Sequence, residues 1–202
     1  MKIKSQLLKI TMAGVLLLSV INCGTKKMEE QTMEHEEAVV VEEPAAVSAP
    51  QFVVDGQFQK QLALVFTNYV SLKDAFVASD PSKVNAEAEK VWEALTKVDM
   101  ALLTDAAHTD WMVYQQNLKK ALKDIQREAE IESQRTAFKD FSDTFYKTIK
   151  AYGLGGTTAF YEYCPMAFNN TGAYWLSDNE AIRNPYFGAK MLSCGSVEEE
   201  LN

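Results

Sequence analysis

Residues 58–76, FQKQLALVFTNYVSLKDAF, place their apolar side chains Phe58, Leu62, Val65, Tyr69, Leu72 and Phe76 at alternating steps of four and three. That repeat lines one face of an α-helix. The rhythm continues downstream through Val84, Ala88, Val91, Leu95, Val98 and Leu102, and again through Trp111, Tyr114, Leu118, Leu122, Ile125 and Ala129. A fourth seam runs Phe138, Phe141, Phe145, Ile149 and Tyr152, and Gly153-Leu154-Gly155-Gly156 ends it. Between the first two seams Ser79-Asp80-Pro81 reads as a stop and restart, with Asp80 as N-cap and Pro81 at the first helical position. The turn between the third and fourth is expected near residues 130–134, where neither Gly nor Pro stands. Four amphipathic helices with short connections predict a mainly α protein, an antiparallel up-down four-helix bundle over residues 51–156.

Upstream the chemistry changes. Lys2, Lys4 and Lys9 precede residues 10–21, ITMAGVLLLSVI, a run too short for a bilayer that needs about 20 apolar residues. A basic start followed by a short apolar run is a secretory signal, here residues 1–22. Val20-Ile21-Asn22-Cys23 resembles a lipobox, with Asn22 where a small residue is usual. Cleavage there leaves Cys23 as an acylated N-terminus, a membrane anchor of several acyl chains on a cell-envelope lipoprotein of the inner or outer membrane. The plain alternative is an ordinary cleaved signal with an incidental cysteine. Residues 23–50 then form an acidic spacer with seven glutamates, Lys26 and Lys27, and only Val39-Val40-Val41 as an apolar cluster. Such a composition cannot bury enough to offset its ordering entropy. Met28, Met33 and His35 within it read as chance members of a solvated tether.

The net charge is −8, from 20 basic and 28 acidic side chains. Loss of residues 1–22 removes three lysines and no acid, which takes it to −11. A nucleic-acid binder needs a basic face for phosphates, so that class is excluded. The 3 cysteines resolve into Cys23 and a pair, Cys164 and Cys194. They do not form Cys-X-X-Cys, which argues against a thioredoxin-like oxidoreductase. A Cys–His nucleophile using His108 has no identifiable orienting group, so no enzyme is expected. Gly153-Leu154-Gly155-Gly156 follows a helix and lacks a Lys-Ser/Thr, so it is no phosphate loop.

After Gly156 the helical period disappears. Residues 157–164 (TTAFYEYC) alternate as a short strand, and residues 157–202 are expected to form a small irregular appendage packed on the bundle. Within it Cys164 lies two residues from Met166, and Cys194 three from Met191. Thiolates and thioethers are soft ligands that select Cu(I) and similar ions. If a loop brings the segments together, Cys164, Met166, Met191 and Cys194 make a candidate metal site. The competing reading is a disulfide between Cys164 and Cys194, contributing roughly 3–4 kcal/mol by loop closure, with the methionines as core fillers. Both readings use the same sulfur atoms.

The strings Cys164-Pro165-Met166-Ala167, Trp175-Leu176, residues 182–188 (IRNPYFG) and residues 190–195 (KMLSCG) resemble domain of unknown function 3347, a family of bacterial lipoproteins. A similar module occurs at the C-terminus of adaptor subunits of heavy-metal efflux pumps. The resemblance extends upstream through residues 134–138 (QRTAF) and 108–112 (HTDWM), and so over most of residues 57–202. It implies a helical bundle with a Cys/Met appendage, a role in handling copper or silver, and efflux components as partners. Members of the family often carry His before Cys-Pro-Met, and this chain has Tyr163. His108 and Met112, four apart on one helical face, are further candidate ligands under the same resemblance.

Overall fold

The computed structural model describes residues 49–202. The expected signal sequence (residues 1–22), the expected lipidation site Cys23 and residues 23–48 of the expected acidic tether lie outside the described residues.

Asp55 starts the first helix, its carboxylate accepting the Gln57 N–H, and α1 runs Gly56–Val77. All six residues of the 58–76 seam are completely buried. Asp80 caps α2 (Pro81–Thr96) through the N–H groups of Ser82 and Lys83 at 3.0 and 3.1 Å, as the Asp-Pro pair requires. A 3-10 turn at Met100–Leu102 leads into α3, Asp105–Arg127. This helix begins a turn and a half before its first seam residue, because Asp105 to Asp110 is a polar first segment with little to bury. The turn into α4 (Ile131–Tyr152) falls at residues 128–130, slightly earlier than the sequence predicts. Gly153, at φ 72°, ends it. Consecutive helices pack on one another, and α1 also touches α4. Among the described residues no helix is long and apolar enough to cross a membrane.

The C-terminal region corrects one expectation. It is not irregular: β1 (Ala159–Cys164), β2 (Ala173–Ser177) and β3 (Ser196–Leu201) form an antiparallel sheet in the order β2-β1-β3. The third strand is SVEEEL, a mostly exposed edge strand whose Glu199 bonds Tyr146 and Lys150 of α4, so it carries no apolar alternation to read. A bulge between Tyr161 and Glu162 resets the side-chain alternation of β1 and leaves Ala159, Glu162 and Cys164 buried. β2 packs against α4 and α1. The Tyr69 hydroxyl joins these layers: it pairs with Ser142 Oγ of α4 at 2.7 Å and accepts the Leu176 N–H of β2 at 3.0 Å.

Two buried ionisable side chains bear on stability. The Arg135 guanidinium is only 3% exposed. Its Nε donates to the Pro185 carbonyl at 2.9 Å, Nη2 to the Phe76 carbonyl at 3.3 Å and Ser79 Oγ at 2.8 Å, and Nη1 to Glu132 at 2.7 Å. One side chain of α4 thus satisfies a carbonyl at the end of α1 and clamps the 184–188 turn. Glu162 is the other case, fully buried on β1 beneath Trp175 and Ser177, with the buried Lys73 of α1 as its cationic neighbour. Burial pushes its carboxyl up to about 8, outweighing Lys73 and the polar groups of Trp175 and Ser177, and neither oxygen completes a hydrogen bond.

Arg135→Ala strands buried carbonyls and is expected to cost about 3 kcal/mol in urea unfolding. Arg135→Lys should recover little of it, because one ammonium cannot reproduce the planar fork. The folded Glu162 carboxyl keeps its proton to about pH 8, whereas the unfolded one loses it near 4.5. Protein stability should therefore fall as pH rises between these values and level off above them. Glu162→Gln should flatten that slope, as read from Tm measured between pH 5 and 8.

Candidate functional site

β1 ends at Cys164, and the chain turns away through Pro165 and Met166. The single turn at Ala167–Asn170 is left-handed over three residues: Phe168, Asn169 and Asn170 have φ of 50°, 57° and 64°. Asparagine accepts that conformation, but for Phe168 it costs about 1–2 kcal/mol. The ring is held edge-on to Tyr186, with centroids 5.3 Å apart. Met166, at the entry to this turn, is 47% exposed.

The second sulfur segment is placed by Asn184, which is completely buried. Its Oδ1 accepts the N–H groups of Tyr186 and Phe187 at 2.8 and 3.1 Å. Its Nδ2 donates to the Cys194 carbonyl at 2.7 Å, and its own N–H donates to the Leu192 carbonyl at 2.8 Å. One amide therefore closes the Asn-Pro turn and pins the irregular return that carries Met191 and Cys194. Gly188, at φ 56°, lets that turn seat on the end of α1, where a Cβ would lie 2.6 Å from Ser79 Oγ. Gly195, at φ 146°, brings the chain against β1: a Cβ there would stand 2.7 Å from the Tyr163 carbonyl oxygen. Pairing of Tyr163 with Ser196 then sets the Cys194 segment beside the end of β1.

The result is a contact between two sulfurs. Cys164 Sγ and Cys194 Sγ are 2.8 Å apart, and both are free thiols, Cys164 buried and Cys194 partly exposed. The hydrogen bond with Cys164 pushes the Cys194 thiol up to about 11, burial adding to it and the Met166 backbone N–H opposing it. At neutral pH it is a thiol and a weak nucleophile. Met166 and Met191 line one cavity of about 520 Å³, with Arg135, Phe168 and Tyr186 among its other walls. The two methionines thus share one cavity and the two cysteines touch each other, but neither cysteine is among the residues that line that cavity. Among the described residues no group of three or more His, Cys, Asp or Glu side chains could hold a metal ion.

His108 and Met112 do not join them. The Tyr152 hydroxyl donates to the Ala107 carbonyl at 2.7 Å, which fixes the start of α3 beside the end of α4. Arg135, near the other end of α4, lines the sulfur cavity. At about 1.5 Å per residue the helix from Arg135 to Tyr152 spans about 25 Å. The i, i+4 pair reads correctly as one face of α3, but tertiary packing assigns that face to the far end of the helices. Asn184 and Arg135 are the residues whose role the sequence does not announce. The Asn-Pro step signals a turn, and nothing in the string says what the asparagine holds.

No curated protein and no solved structure matches the chain. Residues 65–157 match the family model described as protein of unknown function (DUF3347). The match runs from Val65 in α1 to Thr157 just after α4, on the helical strings of the resemblance rather than on the C-terminal sulfur strings. The match over residues 65–157 supports the resemblance of the helical core to the DUF3347 family.

Proposed function

We propose that the chain is a non-catalytic envelope lipoprotein that binds a soft monovalent cation, Cu(I) or Ag(I), through the thiols of Cys164 and Cys194 and the thioethers of Met166 and Met191. The observation that carries this reading is the 2.8 Å approach of Cys164 and Cys194, each two or three residues along the chain from a methionine that lines one shared cavity. Soft sulfur donors bind such ions in preference to Mg, Ca or Mn. Binding as thiolates releases the thiol protons. The four helices, read as an antiparallel bundle, serve as a rigid support that sets the two sulfur segments side by side. Cys23 supplies the lipid anchor, and exchange with heavy-metal efflux components is the role that the family resemblance implies. His108 and Met112 fall outside this ligand set.

The same sulfur distance supports a second reading, a non-catalytic structural or interaction lipoprotein in which Cys164 and Cys194 form a disulfide. A closed loop with these ends, 30 positions apart, contributes roughly 3–4 kcal/mol in the chain-entropy model. Oxidised cysteines cannot bind as thiolates, so the redox state of this pair decides between the two.

Titration of the reduced protein with Cu(I) against a competing chelator should give stoichiometric binding, with at least a hundredfold loss in Cys164→Ser/Cys194→Ser and about tenfold in Met166→Leu/Met191→Leu. Equal affinity of wild type and the double cysteine variant removes the metal reading. Thiol counting on protein isolated from the cell envelope without reductant then separates the alternatives: two reactive thiols at these positions fit ion binding, and none fits the disulfide.

A further inference from the structure

A different surface carries an inference independent of the sulfur site. Between α2 and α3 lies a groove of about 530 Å³ whose floor is Trp92, Met100 and Met112. Met112 is 52% exposed, an apolar side chain with no role in the core. Along one rim Lys119, Lys123 and Arg127 follow one another at four-residue steps on α3. Lys119 and Lys123 stand over the Trp92 ring at 5.8 and 5.2 Å, and among the described residues neither has a carboxylate partner. Lys120 and Arg127 share the single acid of the lining, Asp124. In a chain of net charge −8 this groove is a basic exception.

We propose that this groove docks an acidic amphipathic helix of a partner protein. The cations repeat about every 6 Å over about 12 Å, the rise of a helix from i to i+4 and i+8. A helix laid along the groove and carrying carboxylates at the same interval meets each cation in turn, while its apolar stripe covers Trp92, Met100 and Met112. A small anion engages only one or two of those charges. Apolar residues recurring along one helix face are the usual anchors for seating a helix in a groove, and methionine adapts its shape to the incoming surface. Two lysines held over an indole face without counter-charge are a site with no electrostatic complement among the described residues.

The test uses the full chain and a synthetic helical peptide with Glu at every fourth position on one stripe and Leu on the adjoining one. Trp111 and Trp175 are completely buried, so a change in tryptophan emission reports on Trp92. The acidic peptide should shift that emission saturably, and its affinity should fall as salt is raised. A peptide with Lys in place of Glu should not bind. Lys119→Glu/Lys123→Glu, two surface changes whose folding is checked by circular dichroism, should weaken the acidic peptide at least tenfold. Equal responses to both peptides, or an affinity unmoved by the charge reversal, overturns the proposal. A shift produced by phosphatidylserine vesicles and not by the acidic peptide also overturns it, in favour of a lipid surface.

Discussion

The buried guanidinium of Arg135 is the constraint on which the arrangement of the sulfur corner rests. It is a cation almost wholly removed from water, and such a group is tolerated only when its donors are matched. The partners it finds come from three places far apart in the chain: the last turn of α1, the start of α4 and the Asn-Pro turn of the C-terminal region. The buried carbonyls of Phe76 and Pro185 would otherwise be unsatisfied at an element's end. Because Pro185 is among them, the helices and the segment carrying Cys194 are fixed by the same side chain. Asn184, one residue earlier, passes that placement to the Cys194 carbonyl.

The helical core and the sulfur corner are stabilised by different means. In the core, rings stack and tilt around Tyr69, with Phe138, Phe141 and Phe145 centred within 5.8 Å of it. That burial is non-directional, and it supplies the bulk of the favourable free energy. The corner depends instead on hydrogen bonds of fixed direction and on glycines at positive φ, and it carries a left-handed turn at Phe168 that L-residues disfavour. A rigid apolar body and a polar, locally strained rim are the division of labour expected where a site sits on a scaffold. The same division holds at the groove between α2 and α3, where packed apolar faces set the spacing of α3's exposed cations.

Much of this was legible in the string. All six positions of the first seam are buried, Asp80 and Pro81 start α2, and Gly153 stops α4. These features are local, set by periodicity and by capping groups within a few residues of one another. β3 was not legible, since an exposed edge strand of Ser and Glu has no buried face to impose a period. Lys73 and Glu162 were not legible either: each is an ionisable residue placed inside, Lys73 paired with Asp74 and Glu162 held protonated by burial, and only the packing of α1 against the sheet puts them there. His108 and Met112 show the opposite failure. Their spacing on one helical face is real, and it says nothing about which end of a neighbouring helix they meet.

By itself, the sequence determined the four long helices and most of the residues that line their seams, though not their ends (α2 stops at Thr96, short of Val98 and Leu102), and the presence of two segments that each pair a cysteine with a methionine. Those follow from short-range chemistry: apolar period, caps, and the identity of sulfur-bearing side chains. Only the tertiary structure decided that Cys164 and Cys194 touch, that Met166 and Met191 open onto one cavity, and that His108 lies at the other end of α4. Those outcomes depend on strand register and on the buried contacts of Arg135 and Asn184. Each joins residues about 10 to 59 positions apart, and no local pattern encodes such a meeting.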